Sequence, residues 1–435
     1  MASESTPLVS IGGHATPSPA KANAKTLRTL LGTTQLALLI LFLTITSYDK
    51  FSGYSNLEYV IYRDIMVMLL LGFGYLMTFL RKYGLGAVGL TMMLTVLAMQ
   101  LNVFAESFAR FLYGKADSLP LALELPSLID GEFSAATLLI SYGAVIGRAS
   151  PVQLVVMAIC QAFFYAFNKV IIVFGLCEAE DVGGTLTIHM FGAFFGLAVS
   201  HVLGVPKSSS ASNASPNRVS DVLALVGTTL LWVYWPSFVA ATETGVEANN
   251  KLCVMHTILG LLGSTGATFF MSQYCKHGLF DPVHVANSTL AGGVAVGASA
   301  RLIMTPGGSL LVGIIAGAVS VLGYSYVTPY LESKFNLYDT CGVGNLHGWP
   351  SVFGGLASIV FVHSNSDAEF LIHGGSGTQG LHQFMGVAGT LVASIVSGWV
   401  TGNVMKSYAV EDSEEYDDGI WWEGEYFEAE EHKQV

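Results

Sequence analysis

Long apolar runs, separated by short polar segments, repeat along almost the whole chain. A helix needs about 20 mostly apolar residues to cross the hydrocarbon core of a bilayer, so each run predicts one membrane-spanning helix. Pro151, placed to start a new helix just after Arg148, separates the fourth predicted span from the fifth. The predicted spans are 27–47, 57–80, 85–107, 133–150, 151–175, 182–203, 220–240, 253–273, 285–303, 308–329, 343–363 and 379–402. The pattern predicts an all-α polytopic membrane protein with about twelve spans.

The composition agrees with this prediction and excludes several classes of protein. Hydrophobic residues make up 52% of the chain and charged residues 11%, whereas about a quarter of the residues in a soluble protein are charged. The five cysteines show no metal-ligand spacing. The glycine-rich stretches lack the Lys-Ser/Thr ending of a phosphate-binding loop. We therefore expect no enzyme, no metal or other cofactor and no nucleic-acid partner.

The distribution of positive charge predicts the orientation in the bilayer. With the N-terminus in the cytoplasm, twelve Lys and Arg residues fall inside and seven outside, as the positive-inside rule favours. Residues 1–26 then form a disordered cytoplasmic tail and 27–402 the transmembrane domain. We expect the plasma membrane, with an internal vacuolar membrane as the alternative.

Residues 403–435 form an acidic cytoplasmic tail. Eleven acids and Lys433 lie in 411–435, together with Trp421, Trp422, Tyr426 and Phe427. A charge run of this kind is most simply a solvated, disordered segment. The aromatic residues leave open the alternative that the tail docks a cytoplasmic partner.

A pattern of aspartate and histidine occurs twice inside the predicted spans. Asp181 precedes His189 by eight residues, and Asp339 precedes His347 by eight residues, each within the motif Asp-x2-Gly-x4-His-x5-Phe-Gly. Ionisable residues inside a membrane are expensive and mark functional sites by default. The repeated motif is therefore the candidate working centre.

The two copies lie on the sixth and eleventh predicted spans. An offset of five spans makes equivalent helices run in opposite directions, which is the inverted-repeat arrangement of many transport proteins. Asp181 and Asp339 are suited to cap the helix starts, and eight residues at about 1.5 Å each put each histidine about 12 Å inside its helix. Two antiparallel helices would then bring both imidazoles together near the midplane.

Simpler interpretations compete with function at these positions. A buried histidine is commonly a hydrogen-bonded structural residue, and helix capping alone accounts for both aspartates. A metal site is disfavoured because no third ligand lies at a plausible spacing. Paired neutral imidazoles in an apolar lumen suit a small, neutral, hydrogen-bonding solute, since an ion would need more compensation than they offer.

At these residues the chain resembles the ammonium transporter family, and within it the Rh branch. The matching stretches are 142–153, 181–197, 231–238, 284–297 and 339–355. The resemblance implies an eleven-helix core with two inverted five-helix repeats plus an extra N-terminal helix. Residues 161–180 contain no Trp, whereas the Amt branch places one in the outer vestibule, and this departure favours Rh-like behaviour.

The resemblance also implies roles for individual residues. His189 and His347 would be the twin histidines of the pore, Asp181 the acid near its outer mouth, and Phe133 and Phe238 the phenylalanine gate. From the residues alone, either phenylalanine is more simply a packing or lipid-facing residue. The family implies a homotrimer in which each chain conducts ammonia or ammonium, with methylammonium as an analogue.

Two other functions remain open at this point. The same apolar lumen would permit carbon dioxide to pass. Alternatively, the chain could be a membrane scaffold or sensor that acts through its acidic C-terminal tail.

Overall fold

Helices make up most of the described chain, which in this computed structural model comprises residues 19–48, 56–115, 117–207, 212–243, 247–302, 305–364, 376–408 and 415–423. The α-helices are α1 (Pro19–Ile45), α2 (Asn56–Val67), α3 (Gly74–Leu76), α4 (Gly84–Leu112), α5 (Leu125–Val145), α6 (Pro151–Phe167), α7 (Phe191–Leu203), α8 (Arg218–Val239), α9 (Glu247–Cys275), α10 (Pro282–Ser288), α11 (Ala291–Val296), α12 (Pro306–Leu322), α13 (Thr328–Phe335), α14 (Trp349–Ser364) and α15 (Ser376–Lys406). π-Helical segments cover Met68–Phe73, Asn168–Leu176, Thr185–Met190, Gly323–Val327 and Gly344–Gly348, and 3₁₀ turns cover Met77–Phe79 and Gly297–Ser299.

These pieces join into twelve continuous or nearly continuous helical stretches. Within the described residues, nine stretches are long and apolar enough to cross a membrane. The other three are α5, the α10–α11 pair and the stretch that ends in α14. Of these, α5 is buried without a break from Gly131 to Val145 and α11 is buried throughout, whereas α14 exposes Leu356 and Val360. An enclosed helix has little contact with lipid, so its composition is less constrained to be apolar.

Two helix starts differ from the sequence prediction. α1 begins at Pro19 rather than at 27, so residues 19–26 of the predicted disordered tail are helical, while 1–18 lie outside the described residues. α5 begins at Leu125 rather than at 133, with a proline in its first turn. Asp130 and Glu132 lower the hydropathy of the first two turns, so a hydropathy pattern does not include those turns in the span. Phe133 consequently lies two turns inside its helix.

Glycines bring the central helices into backbone contact. A Cβ added at Gly292 in α11 would lie 2.0 Å from the carbonyl oxygen of Gly260 in α9, and one added at Gly313 in α12 would lie 2.0 Å from the same oxygen. No side chain fits at either point. Small residues are what allow membrane helices to approach this closely, and the packing of α9 against α11 and α12 depends on them.

A short parallel strand pair departs from the all-α prediction. β1 (Thr46–Tyr48) follows α1 and pairs with β2 (Leu121–Leu123), with Ser47 opposite Ala122. Because successive stretches cross the molecule, both strands lie at one end, which we call the outer face. The opposite end is the inner face; α1 begins there, and the stretch that runs from α2 to α3 ends there.

Residues 415–423 fold back onto the inner face of the same chain, whereas a solvated, disordered tail is the simpler of the two sequence interpretations. The Tyr416 amide donates to the Gly147 carbonyl at 2.7 Å, and the Asp418 amide donates to the Lys82 carbonyl at 3.0 Å. The Gly86 amide donates to Asp418 Oδ2 at 2.5 Å. The last helix, α15, ends at Lys406, and the predicted docking aromatics Tyr426 and Phe427 lie outside the described residues.

Candidate functional site

Two imidazole rings face each other in the interior of the helical bundle. Nδ1 of His189 lies 3.2 Å from Nδ1 of His347. Their ring centroids are 5.1 Å apart and their planes differ by 12°. The two side chains are 1% and 2% exposed. The structure therefore brings together the two histidines that the repeated motif predicts to meet.

Both histidines lie in π-helical segments at the start of a longer helix. His189 lies in Thr185–Met190, which continues into α7, and His347 lies in Gly344–Gly348, which continues into α14. Gly184 and Gly342 precede these segments with φ of +71° and +75°, a backbone conformation that favours glycine. Short π-helical segments are rare and occur frequently at functional sites. The sequence predicted helices here but not their wider winding.

Asp181 and Asp339 cap these two segments in matching ways. Asp181 accepts hydrogen bonds from the Leu186 amide at 3.0 and 3.1 Å and from the Thr187 amide and hydroxyl at 2.7 and 2.8 Å. Asp339 accepts bonds from the amides of Val343 and Gly344 at 2.9 and 2.8 Å. The two carboxylates satisfy amides that a helix start leaves unpaired. They start the histidine segments from opposite faces and do not meet each other.

Phe238 lies beside His189 and contacts Phe133. Their ring centroids are 5.2 Å apart and their planes meet at 85°, an edge-to-face arrangement that aromatic rings favour. The centroid of Phe238 lies 5.9 Å from that of His189. The two phenylalanines are 4% and 2% exposed. Both are packed residues, as the simpler interpretation predicts; Phe238 packs on His189 and Phe133 packs on Phe238.

Two further aromatic rings complete the walls, and the sequence did not single them out. Trp235 stacks on His189 with centroids 5.5 Å apart, and Phe73 stacks on His347 with centroids 6.2 Å apart. Trp235 lies three residues before Phe238 in α8, so it shares a helix face with Phe238. That spacing could have identified Trp235. Phe73 offers no comparable signal.

Two cavities lie between His347 and the inner face. A cavity of about 20 Å³ is lined by His347, Phe73 and Leu346 among others, which is room for about one molecule the size of water. A second cavity of about 220 Å³ is lined by Asp221, Asp339 and Tyr324 among others. The two cavities share Leu76, Phe79, Asn287 and Cys341 as lining residues. The two cavities are therefore neighbours on the inner side of His347.

The chemistry of the site is that of hydrogen bonding in an apolar enclosure. Across the described ranges there is no group of three or more His, Cys, Asp or Glu residues that could hold a metal ion. His189 Nε2 and Trp235 Nε1 are buried and have no hydrogen-bond partner among the described residues. The arrangement can accept or donate single hydrogen bonds to a small molecule that passes the rings.

Comparison with known proteins identifies relatives over most of the chain. A sequence model of the Ammonium Transporter Family matches residues 45–419. The chain is 38% identical over 383 residues to ammonium transporter Rh type B of Bos taurus, which covers 84% of this chain and 83% of that relative. It is 36% identical over 395 residues to ammonium transporter Rh type B of Homo sapiens, with 86% and 85% covered.

Solved structures include proteins with the same fold. A structure of Nitrosomonas europaea Rh50, a channel of the Rhesus protein family, aligns with a TM-score of 0.76 and 31% identity, over 87% of this chain and 94% of that one. A sensor Amt protein aligns with a TM-score of 0.68 and 19% identity, over 81% of this chain and 92% of that one. The second likeness concerns the fold alone.

Proposed function

The chain belongs to the ammonium transporter family, in its Rh branch, and on this premise we propose that it conducts ammonia across a membrane through a pore within each chain. It is a multi-pass membrane protein and a transporter or channel rather than an enzyme. The observation that carries the proposal is the face-to-face contact of His189 and His347 at 3.2 Å inside an aromatic enclosure.

The hydrogen bond between the two histidines determines what they offer to a passing molecule. Only one proton can lie between the two Nδ1 atoms, so one ring donates and the other accepts. The donating ring then has a bare Nε2 and the accepting ring carries its proton on Nε2. The pair presents one acceptor and one donor to the lumen, which matches ammonia, a molecule with three N–H groups and one lone pair.

The enclosure favours ammonia over ammonium. Phe238 and Trp235 pack on His189, Phe73 stacks on His347, and Phe133 packs on Phe238. Removing the water around a unit charge in this apolar enclosure costs far more than removing it around a neutral molecule. We propose that ammonium gives up a proton before it passes the phenylalanine pair and that ammonia crosses past the histidines. The path then continues through the 20 Å³ and 220 Å³ cavities toward the inner face.

Asp181 and Asp339 have a positioning role in this proposal. Their oxygens are occupied by backbone amides and a threonine hydroxyl, so each aspartate orients the segment that carries a histidine. Asp181 adds negative potential near the outer mouth, where it would favour the approach of a cation. Direct coordination of ammonium by either carboxylate is not required.

The larger organisation belongs to the same proposal. We propose twelve spans with an inner face in the cytoplasm, two inverted five-helix repeats preceded by α1, and a homotrimer in the plasma membrane. The matched aspartate caps and π-helical segments of His189 and His347 support the repeat. The complete aromatic and imidazole site within one chain supports an independent pore in each subunit.

The test is stopped-flow measurement of internal pH in proteoliposomes that are given an ammonium gradient. Entry of ammonia raises the internal pH, and we expect the wild type to do this faster than empty liposomes. His189→Ala and His347→Ala should change the rate while the assembly stays intact. His201→Ala is the matched control, because His201 is an exposed residue on the same helix as His189. Unchanged ammonia flux in both pore variants would refute the proposal.

A further inference from the structure

A lysine side chain lies between two carboxylates near the outer face. Lys169 Nζ donates to Asp130 Oδ1 at 2.6 Å and to Glu106 Oε2 at 3.1 Å. Its side chain is 14% exposed, and those of Asp130 and Glu106 are 29% and 10% exposed. The three residues come from three different helical stretches, α4, α5 and the π-helical segment Asn168–Leu176. Lys169 thus holds these stretches together by charge.

This cluster lies on the outer side of the phenylalanine pair. α5 starts at the outer face, and Asp130 precedes Phe133 by three residues, so the two side chains project from the same face of α5 about one turn apart. Glu106 lies near the outer end of α4. Lys169 therefore holds its charge about one helical turn outside Phe133.

The cluster borders a cavity and contains an unsatisfied acceptor. A space of about 260 Å³ is lined by Asn102, Glu106 and Asp130, together with Arg110, Asp117 and three serines. Asn102 is 1% exposed, and its Oδ1 has no hydrogen-bond partner among the described residues, while its Nδ2 faces Glu106 Oε2 at 3.4 Å. A buried oxygen of this kind is expensive unless a donor reaches it. The cavity has both polar and apolar lining residues, and Asn102 offers one more acceptor beside the two carboxylates.

Within the hydrogen-bonded cluster of Lys169, Asp130, Glu106 and Arg110, the charges balance only while Lys169 is present, and Asp117, which lines the same cavity, adds a further negative charge nearby. Glu106 and Asp130 contribute two negative charges, and Arg110, which donates to Glu106 Oε1 at 3.0 Å, contributes one positive charge. Lys169 contributes the second. Removal of its charge leaves the cluster with one net negative charge, Asp130 Oδ1 without its lysine donor, and Glu106 Oε2 with Asn102 Nδ2 at 3.4 Å.

The group that Lys169 supplies has the same chemistry as the proposed substrate. Its side chain ends in a primary alkylammonium with three N–H donors, as methylammonium does, and ammonium has one donor more. We infer that Lys169 is a built-in occupant of an alkylammonium site at the outer approach to the pore. The site is closed to external cations in the wild type and opens when residue 169 is neutral. The role in transport rests on the proposed function, whereas the cation site does not.

The inference predicts chemical rescue. Lys169→Met keeps the length of the side chain and removes the charge, and it should lower the Tm of the purified protein in sodium chloride. Ammonium chloride or methylammonium chloride at the same concentration should restore the Tm, and the gain should grow with concentration because only the folded protein binds the cation. Tetramethylammonium, which has no N–H donor, should not restore it.

Two controls separate a built site from a general salt effect. Lys115→Met makes the same substitution at an exposed lysine on the outer face and should respond equally to all salts. Lys169→Met combined with Asp130→Asn removes one of the two carboxylates and should lose the specific response. Equal Tm values for Lys169→Met in sodium and ammonium chloride would overturn the inference.

A milder variant keeps the test decisive if Lys169→Met does not fold. Lys169→Gln retains a donor for one carboxylate and carries the same expectation. If neither variant is recovered from sodium chloride, purification in ammonium chloride becomes the measurement. Recovery there alone supports the inference, and recovery in neither salt or equally in both overturns it.

Transport experiments distinguish this inference from the proposed function. In proteoliposomes, Lys169→Gln should show ammonia flux that saturates with external ammonium, while wild-type flux stays proportional to the gradient. Wild-type flux without ammonium-specific rescue of the variants would leave the proposed function intact and remove the site. Rescue without any wild-type flux would retain the site and remove the proposed function.

Discussion

Substitution of Gly183, six residues before His189, should destabilise the protein more than substitution of Gly348, directly after His347. A Cβ at Gly183 would lie 2.7 Å from Gly297 Cα and 2.7 Å from Val239 Cγ1, well inside the 3.5–4.0 Å of an ordinary carbon contact. At Gly348 the nearest atom to an added Cβ would be the Ala193 Cβ at 3.6 Å, an ordinary contact. The prediction compares Gly183→Ala with Gly348→Ala.

The expected cost follows from the contacts that Gly183→Ala disturbs. Moving the backbone by the required fraction of an ångström is a case of overpacking, which costs about 1–3 kcal/mol. The Gly183 amide also donates to the Gly297 carbonyl at 3.0 Å, and losing that bond adds about 1 kcal/mol. Gly183→Ala should therefore destabilise the protein by about 2–4 kcal/mol. Gly348→Ala lies in a helical segment and should be neutral or stabilising by up to about 1 kcal/mol.

Two measurements check this pair. Thermal unfolding in detergent should give a lower Tm for Gly183→Ala and an unchanged or higher Tm for Gly348→Ala. Ammonia flux in proteoliposomes should fall for Gly183→Ala, because the start of the segment that carries His189 moves away from the 3₁₀ turn Gly297–Ser299. Equal losses in the two variants, or a loss in Gly348→Ala alone, would refute the steric reasoning.

Two further predictions concern aspartates that accept backbone hydrogen bonds. Asp181→Asn can keep the three hydrogen bonds that Oδ2 accepts from Leu186 and Thr187, so this variant should retain most of the ammonia flux. Asp181→Ala cannot keep them and should lower the free energy of unfolding by about 1–3 kcal/mol. A complete loss of flux in Asp181→Asn would mean that the charge itself is needed. Burial raises the pKa of the Asp418 carboxyl in the docked segment, although the Gly86 amide donates to it. Protonation of Asp418 therefore favours the docked form. Docking of 415–423 should tighten as the pH falls from this raised pKa toward the ordinary pKa of an undocked aspartate. Hydrogen exchange of 415–423 measures this, and Asp418→Asn should remove the pH dependence.

The sequence predicted the histidine pair because the site is built from two copies of one short motif. The eight-residue spacing of Asp181 and His189, and of Asp339 and His347, predicted two capped helices whose imidazoles meet, and the Nδ1 atoms are 3.2 Å apart. Helix capping and helix rise are local properties, so a spacing in sequence translates directly into a distance in space.

Helix bounds were less accurate where a helix is enclosed by others. A hydropathy pattern detects segments that are apolar enough to face lipid. Because α5 contacts mainly protein, its first two turns can be polar, and the pattern did not include them in the predicted span. The predicted boundary at 133 placed Phe133 at a helix start, whereas it lies two turns inside. The π-helical winding at both histidines also escaped prediction, because no residue pattern distinguishes it from an α-helix.

The sequence alone determined the membrane class, the family, the paired histidines and their aspartate caps, since each depends on composition or on residues within about two helical turns of each other. The tertiary structure decided which aromatic rings line the pair, where 415–423 dock and that Lys169 joins Glu106 to Asp130. Those contacts join residues far apart in the chain, and glycines make room for two of them: an added Cβ would lie 2.6 Å from Trp235 Nε1 at Gly293 and 2.6 Å from Tyr416 Cδ1 at Gly147.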